Sequence, residues 1–483
     1  MNKRIFAAMM FLLAVNVAGA KKWYMATNGS DSNNGDIDSP FATLPYAQKK
    51  MSAGDTLMIR GGKYKITEYT NVQENIYAVI FDITKSGKSK DKPTCFFGYP
   101  GERPEFDLSA VKPEGYRVSG FYVHANYVHL RNFDVTGIQV TIKEHTQSEN
   151  VSVRRGNHDI TIEHLALHDG MGIGVYITKG SNVLVLNCDA YNNYDSVSEG
   201  GKGGNSDGFG SHCDDRFTGN VFRGCRAWCN SDDGFDLISQ RTPVVIDHCW
   251  ALYSGYRTFA TSTPGDGNGF KAGGYGKKAQ SAAFDAPRHV IKNCIAYNNK
   301  SNGFYANHHL GGNDWMNNTA YQNKYEYSMV NQVTWDVGED VDGYDHMLVN
   351  NIAVKGKKGL YTAIDKSRCT LVNNTFLPQN MTVNLSDFEN STDYKQLIAP
   401  RNPDGSLPEI TFLKLKATSK LYALQMGCQF DYEDTGHGTS IENVAVSKRP
   451  SDNAYYNLQG QKIMHPKPGT IYIYGGKKVY IKK

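Results

Sequence analysis

Four stretches of the chain repeat one short frame: Asp207-Gly208-Phe209-Gly210, Asp233-Gly234-Phe235-Asp236, Asn268-Gly269-Phe270-Lys271 and Asn302-Gly303-Phe304-Tyr305. The fourth position changes while the frame stays, as in a stacked repeat that keeps its scaffold and varies one outward side chain. In that column an acid, Asp236, is followed by a lysine, Lys271, with Asp207, Asp232 and Asp233 close by. Asp207 precedes Asp232 by 25 residues, one turn of the repeat described below. Adjacent strands stand about 4.8 Å apart, so stacking would bring four carboxylates to one point. Such a concentration of negative charge is unfavourable unless neutralised. A hard divalent cation neutralises it, and Ca²⁺ tolerates irregular coordination by carboxylates, carbonyls and water better than Mg²⁺. The plainer alternative is a set of solvated turns with Asp chosen for local hydrogen bonds; four acids in register favour the metal.

Lys271 follows Asp236 in the variable column. A bound cation lowers the proton affinity of a nearby ammonium and carboxylates raise it. A lysine made partly neutral can serve as a general base. A salt bridge from Lys271 to one of the aspartates is the plainer reading. The small residues of Gly267-Asn268-Gly269 and Ala272-Gly273-Gly274 leave room beside it for a polymer.

The elements that position these residues follow from a second column, a polar residue followed by an apolar or small one. It runs Asn132-Phe133, His164-Leu165, Asn187-Cys188, Gly224-Cys225, His248-Cys249, Asn293-Cys294, Asn318-Thr319, Asn351-Ile352 and Asn374-Thr375, a basic unit of 23 to 25 residues with insertions in some turns. Each unit carries a short β-branched or aromatic alternation, such as Val183-Leu184-Val185-Leu186. Short strands, polar turns and this period predict an all-β parallel β-helix solenoid, each coil burying its inner face on its neighbours. The Leu-x-x-Leu-x-Leu frame of leucine-rich repeats is absent. Asn192-Asn193, Asn298-Asn299 and Asn323 suggest an asparagine ladder satisfying turn backbone groups.

Composition sets outer limits. With 483 residues, 40% of them hydrophobic, the chain can bury one long solenoid core and a small appendage. A formal charge of +4 and the lack of any basic block give no case for nucleic acid. Lys3-Arg4, the apolar run Ile5 to Val17 and Ala18-Gly19-Ala20 have the three parts of a secretory signal peptide, which predicts a secreted protein whose mature chain begins near Lys21. No stretch is long and apolar enough to predict a membrane span. Of the nine cysteines, Cys188, Cys225, Cys249 and Cys294 share one repeat column, which predicts a buried stack rather than disulfides or a metal site.

Asn205-Ser206-Asp207-Gly208-Phe209-Gly210, Asn230-Ser231-Asp232-Asp233-Gly234-Phe235-Asp236 and Gly267-Asn268-Gly269-Phe270-Lys271 resemble, in order, the site motifs of polysaccharide lyase family 9, the pectate lyases and relatives on a right-handed parallel β-helix. Asn28 to Gly35, Ser39 to Leu44 and Ala53 to Leu57 resemble the N-terminal cap of such proteins, and the likeness extends to about residue 435. The resemblance implies calcium bound by Asp207, Asp232, Asp233 and Asp236 with the backbone carbonyl of Gly234, and Lys271 as the base. It implies β-elimination at a galacturonate in homogalacturonan or rhamnogalacturonan I, by an endo-acting monomer. A polygalacturonase-like hydrolase also places Asp residues on successive coils, but its Gly-His-Gly motif belongs about one coil on, and Gly436-His437-Gly438 lies far past the repeats. A non-catalytic glycan-binding solenoid would leave Lys271 without a purpose.

Candidates to line the groove are the insertions Tyr194 to Gly204 and Ser254 to Pro264, with Arg257, Lys277, Lys278, Tyr305, His308 and His309. The β-helix catalytic domain is expected over 21–440. Phe412 to Leu421 is expected to close it. After a linker around Arg449-Pro450, short alternating strands over 453–483 predict a small C-terminal β module, similar to the sorting or anchoring tails of secreted Bacteroidetes proteins.

Overall fold

The inner face of the repeat is built by stacking like on like. Phe209, Phe235, Phe270, Phe304 and Tyr327 form one continuous ring stack with successive centroids 5.0, 4.9, 5.0 and 5.0 Å apart, all buried. That spacing is the separation of neighbouring strands, so each coil sets the third residue of the motif on its predecessor. A second inward stack joins Ala190, Ala227, Ala251, Ala296, Ala320 and Ala353 in strict register.

These contacts belong to a parallel β-helix in a computed structural model that describes residues 20–276, 284–378 and 381–430, and the strands Tyr455–Tyr456, Lys462–Ile463, Ile471–Tyr474 and Lys477–Tyr480. Residues 1–19, Lys277, Lys278, the Gly436-His437-Gly438 motif and the linker at Arg449-Pro450 lie outside the described residues. One sheet carries the variable column: β1 (Tyr77–Ile83), β2 (Arg117–Val123), β3 (Glu149–Val153), β4 (Ile173–Ile177), β5 (Phe209–Ser211), β6 (Phe235–Asp236), β7 (Phe270–Lys271), β8 (Phe304–Tyr305), β9 (Tyr325–Ser328) and β10 (Gly359–Thr362), each parallel to the next. Further parallel ladders, among them Leu184–Val221 and Val245–Val290, close the remaining sides of the coil.

The glycine of the motif has a packing reason. A Cβ on Gly208, Gly234 or Gly269 would stand 2.6 to 2.7 Å from the carbonyl oxygen of the matching glycine on the next coil. Adjacent coils approach each other there too closely for any other residue.

The polar–apolar column changes register at Asn317. Its left-handed corner residue is Asn132, His164, Asn187, His248 and Asn293, and then Asn317, Asn350 and Asn373, not Asn318, Asn351 and Asn374. Ile295 pairs with Thr319 and Thr319 with Ile352, so the thiol column Cys188, Cys225, Cys249, Cys294 continues inward as Asn318, Asn351 and Asn374. Two adjacent asparagines, one for the corner and one for the core, make the alignment ambiguous in sequence. The inward amides form a ladder: Asn318 Oδ1 accepts from Cys294 N at 3.0 Å, and Asn351 Nδ2 donates to Asn374 Oδ1 at 2.8 Å. The expected second ladder is present, with Asn193 Nδ2 on Asn230 Oδ1 at 3.0 Å and Asn299 Nδ2 on Asn323 Oδ1 at 2.9 Å. All nine cysteines are free, and the four column thiols are fully buried.

At the N-terminal end, helix α1 (Leu44–Lys50) lays Leu44 and Ala47 on the core, and Thr43 caps it by accepting from Tyr46 N. Asp31 holds that cap through Ala42 N, Thr43 N and Thr43 Oγ1. The segment expected to close the coil instead runs along its side. Phe412, Leu413, Leu415 and Leu421 cover Trp228, Trp250, Tyr297 and Tyr321, which point outward and would otherwise face water. In the tail the four strands make an antiparallel sheet of their own. Among the described residues no helix is long and apolar enough to cross a membrane.

Three histidines are sealed in the wall beyond β7 and β8. His289 Nδ1 accepts from Val244 N at 3.2 Å, His346 Nδ1 accepts from Asn313 N at 2.9 Å, and His309 Nε2 bonds Pro287 O at 2.5 Å. Burial lowers the pKa of all three: His309 to about 4, His346 to about 3, and His289 well below its ordinary value. The unfolded chain takes up these protons below about pH 6.5 and the folded one does not, so the stability they allow is complete above that pH and is lost as pH falls. His309 and His346 are each expected to cost about 2 kcal/mol at pH 5 relative to pH 7.5. Carboxylates with raised pKa act with the opposite sign. The test is therefore urea unfolding at both pH values, where His309→Gln should show a smaller acid loss than the wild type; an equal loss contradicts the assignment.

Candidate active site

Register brings the variable column together on one outward face. Gly210 pairs with Asp236, Asp236 with Lys271 and Lys271 with Tyr305. The first motif position forms a parallel column, in which Asp207 Oδ1 accepts from Asp233 N at 3.1 Å, and Asp233 Oδ1 accepts from Asn268 N at 2.6 Å and Asn268 Nδ2 at 2.9 Å. Asn302 Nδ2 extends the column onto Asn268 Oδ1 at 2.9 Å.

Asp207, Asp232 and Asp233 are buried, and each offers a carboxylate oxygen within 4.8 Å of the others. Asp236 stands beside this trio. Its Oδ1 accepts from Ile238 N at 2.7 Å and its Oδ2 takes Lys271 Nζ at 3.1 Å. The Lys271 ammonium also reaches Asp233 Oδ2 at 3.1 Å, so it bridges the cluster and Asp236. The Gly234 carbonyl accepts the ladder bond from Phe209 N at 3.0 Å, which leaves one lone pair.

Burial, then repulsion from Asp232, Asp236 and Asp233, holds the Asp207 carboxyl well above the usual carboxylate range. Burial and Asp233 do the same for Asp232, and Asp233 is pushed up to about 6, mainly by burial. Burial alone would lower the Lys271 pKa, but Asp236, Asp233, Asp232 and Asp207 outweigh it and hold the lysine well above its ordinary value. Three carboxylates buried together, within reach of one another and with a single contact from Lys271 to Asp233, are a donor set that fits a hard divalent cation.

Several residues that serve the cluster carry no motif. Asp232 Oδ1 accepts from Asp266 N at 2.8 Å. The segment that delivers this N–H is held by Lys300, whose Nζ donates to Thr263 O at 2.7 Å and Gly265 O at 2.6 Å. His212 Nδ1 meets the Tyr176 hydroxyl at 2.9 Å, with its Nε2 3.9 Å from Asp236 Oδ2. Asn268 could have been found in sequence as the asparagine that replaces Asp at the head of the third motif. Lys300 and His212 could not, because nothing local marks what they reach. Of the groove candidates, Tyr305 lies next to Lys271 and is half-buried, His308 pairs with Asp340 at 3.0 Å, and Arg257 is exposed. His309 is fully buried and does not line the groove.

For a divalent cation held by this cluster, Lys300→Met is expected to weaken binding about tenfold, as loss of a support behind a ligating group does. Lys300→Arg should restore part of it. Calorimetric titration with Ca²⁺ reads this directly, and unchanged affinity in Lys300→Met would show that the segment holds itself.

The chain matches the family described as "Pel9A-like, right handed beta helix region" over residues 23–336. It is 32% identical over 412 residues to pectate lyase L of Dickeya chrysanthemi, covering 85% of this chain and 87% of the relative. It is 29% identical to pectate lyase L of Paenibacillus polymyxa, covering 82% of each. A solved rhamnogalacturonan lyase superimposes with a TM-score of 0.80 at 43% identity, over 85% of this chain and all of that one. The crystal structure of pectate lyase Pel9A gives a TM-score of 0.65 at 30% identity, over 84% and 91%. The ordered motifs, the coil geometry and these matches agree, and the chain belongs to the Pel9A-like right-handed β-helix family, polysaccharide lyase family 9, and is a polysaccharide lyase.

Proposed function

We propose that this protein is a secreted, calcium-dependent lyase that cuts the galacturonate-containing backbone of pectin, homogalacturonan or rhamnogalacturonan I, in endo fashion by β-elimination. The observation that carries this reading is the placement of Lys271 on the coil next to Asp236, 3.1 Å from Asp233 and beside the clustered carboxylates of Asp207 and Asp232. The names of the relatives, pectate lyase and rhamnogalacturonan lyase, support the substrate class. The 43% identity to the rhamnogalacturonan lyase makes rhamnogalacturonan I the first backbone to try.

Asp207, Asp232 and Asp233 would hold the ion, with Asp236 and the free lone pair of the Gly234 carbonyl completing the set. Calcium, when bound, supplies positive charge that binds the C6 carboxylate of a galacturonate and acidifies its C5 proton. Lys271 Nζ takes that proton. The C5–H electron pair becomes the C4–C5 double bond, the C4–O bond breaks, and the departing oxygen leaves with its electrons and picks up a proton. The products are an unsaturated uronide and a new reducing end. Lys271 can accept a proton only after losing the one it shares with Asp233 and Asp236, so those two carboxylates gate the base. Residues 1–20 would direct export, 453–483 would sort or anchor, and the enzyme would act as a monomer.

Ultraviolet absorbance of the unsaturated product, followed with polygalacturonate and with rhamnogalacturonan I, with and without chelator, tests the proposal. Chelator-sensitive absorbance supports it and ranks the two backbones. Reducing ends without absorbance would mean a hydrolase and would sink it.

A further inference from the structure

The insertion between Ser254 and Pro264 leaves the coil of Lys271 as a small antiparallel hairpin, Tyr256–Thr258 against Thr261–Ser262. Its feet are tied to the metal cluster's own segment: Gly255 N donates to Asp232 O at 3.1 Å, and Thr263 Oγ1 donates to Ser231 O at 2.7 Å. Arg257 in its first strand and Phe259 at its tip are both exposed. The Arg257 guanidinium lies 5.4 Å over the Tyr194 ring and makes no ion pair among the described residues. Together these side chains border a cavity of about 540 Å³ that Met171 and Asn192 help to line. Its wall takes Met171, Tyr194, Cys229 and Arg257 from the coils of Ile173, Asp207, Asp233 and Lys271, so the cavity runs beside the candidate site along the same coils.

We propose that this cavity is an accessory subsite for a carboxylate-bearing sugar of the polymer, in which Arg257 pairs with the sugar carboxylate and Tyr194 and Phe259 offer ring faces to the pyranose. This rests on the reading of the protein as a lyase of a uronate polymer. The volume is that of a small-molecule site. An unpaired guanidinium stacked on an aromatic ring presents a planar fork that matches a carboxylate, and the tyrosine and phenylalanine faces suit the apolar side of a sugar. Asp169 is the one acid in the wall, and His168 Nδ1 at 2.7 Å and Asn192 Nδ2 at 3.1 Å engage its carboxylate. A polymer held here is also held against the segment that carries Asp232.

The test compares Arg257→Ala and Phe259→Ala with the wild type in two measurements. Calorimetric titration of chelator-treated protein with a long oligogalacturonide should give a Kd raised about tenfold in Arg257→Ala, as expected for the loss of one charged hydrogen-bonded pair. Steady-state kinetics on the polymer should show a raised KM with kcat retained. A Kd within twofold of the wild type in Arg257→Ala, or equal binding of a neutral glucan, overturns the subsite. If the wild type yields no chelator-sensitive absorbance, the lyase reading fails, while the calorimetry still decides whether the cavity binds a uronate.

Discussion

Lys271→Ala is expected to lower kcat on a pectic backbone by about 10²- to 10⁴-fold, the range for removing a positioned general base. The same change should tighten calcium binding, which separates it from a variant that has lost its metal. In the wild type the ammonium sits 3.1 Å from both Asp233 Oδ2 and Asp236 Oδ2, where it competes with any cation for those carboxylates. With it gone, Asp207, Asp232, Asp233 and Asp236 lose the ammonium that offsets their charge, and a divalent ion gains a stronger hold on them. Absorbance kinetics and calorimetry on one preparation read both effects. Activity within tenfold of the wild type would remove Lys271 from the role of base, and weaker calcium binding would mean that the lysine supports the cluster instead of competing with it.

Asp189→Ala is expected to cost about 3 to 5 kcal/mol, because it strands two buried guanidinium groups at once. Asp189 takes Arg226 Nε at 2.8 Å and Nη2 at 2.7 Å, and Arg401 Nη2 at 2.7 Å. Burial raises its pKa, but Arg401 and Arg226 outweigh burial and hold the carboxyl far below the usual range. The pair is also the clasp of the C-terminal segment, since Arg226 Nη1 donates to Ala399 O at 2.7 Å and Arg401 Nη2 to Gly224 O at 2.9 Å. Once the clasp opens, the aromatic side chains beneath the segment are exposed. Loss should therefore appear first as proteolytic cleavage within residues 381–430 and then as a lower urea midpoint. Replacing Asp189, Arg226 and Arg401 together by apolar residues should recover much of the stability, because no buried charge is then left alone. A single variant as stable as the wild type would mean that the strap is held by its apolar contacts alone.

Several features were legible in the residue order because their physical cause repeats with the coil. The Gly-Phe pair recurs since every coil must make the same tight approach at the glycine and set its ring on the one before, so motif, period and outward column all follow from one constraint. The asparagine ladder and the buried thiol stack were readable for the same reason. Asn318, Asn351 and Asn374 were not legible in this way, because two adjacent asparagines have different duties, one in a left-handed corner and one in the core, and only strand pairing tells them apart.

What the sequence by itself determined was the parallel β-helix and the neighbourhood of Asp207, Asp232, Asp233, Asp236 and Lys271, because stacking turns a constant spacing along the chain into contact across coils. Tertiary structure alone decided how the charges divide. It drew three carboxylates into one cluster, set Asp236 against Lys271, and brought Lys300, Asp266 and His212 to serve them from elsewhere on the coil. It likewise laid the C-terminal segment along the side of the solenoid, where Arg401 meets Asp189. The reason is that these contacts lie in loops of unequal length, whose geometry no periodic pattern encodes, and that the sharing of a buried charge among its neighbours depends on distances of a few ångströms that only the folded chain sets.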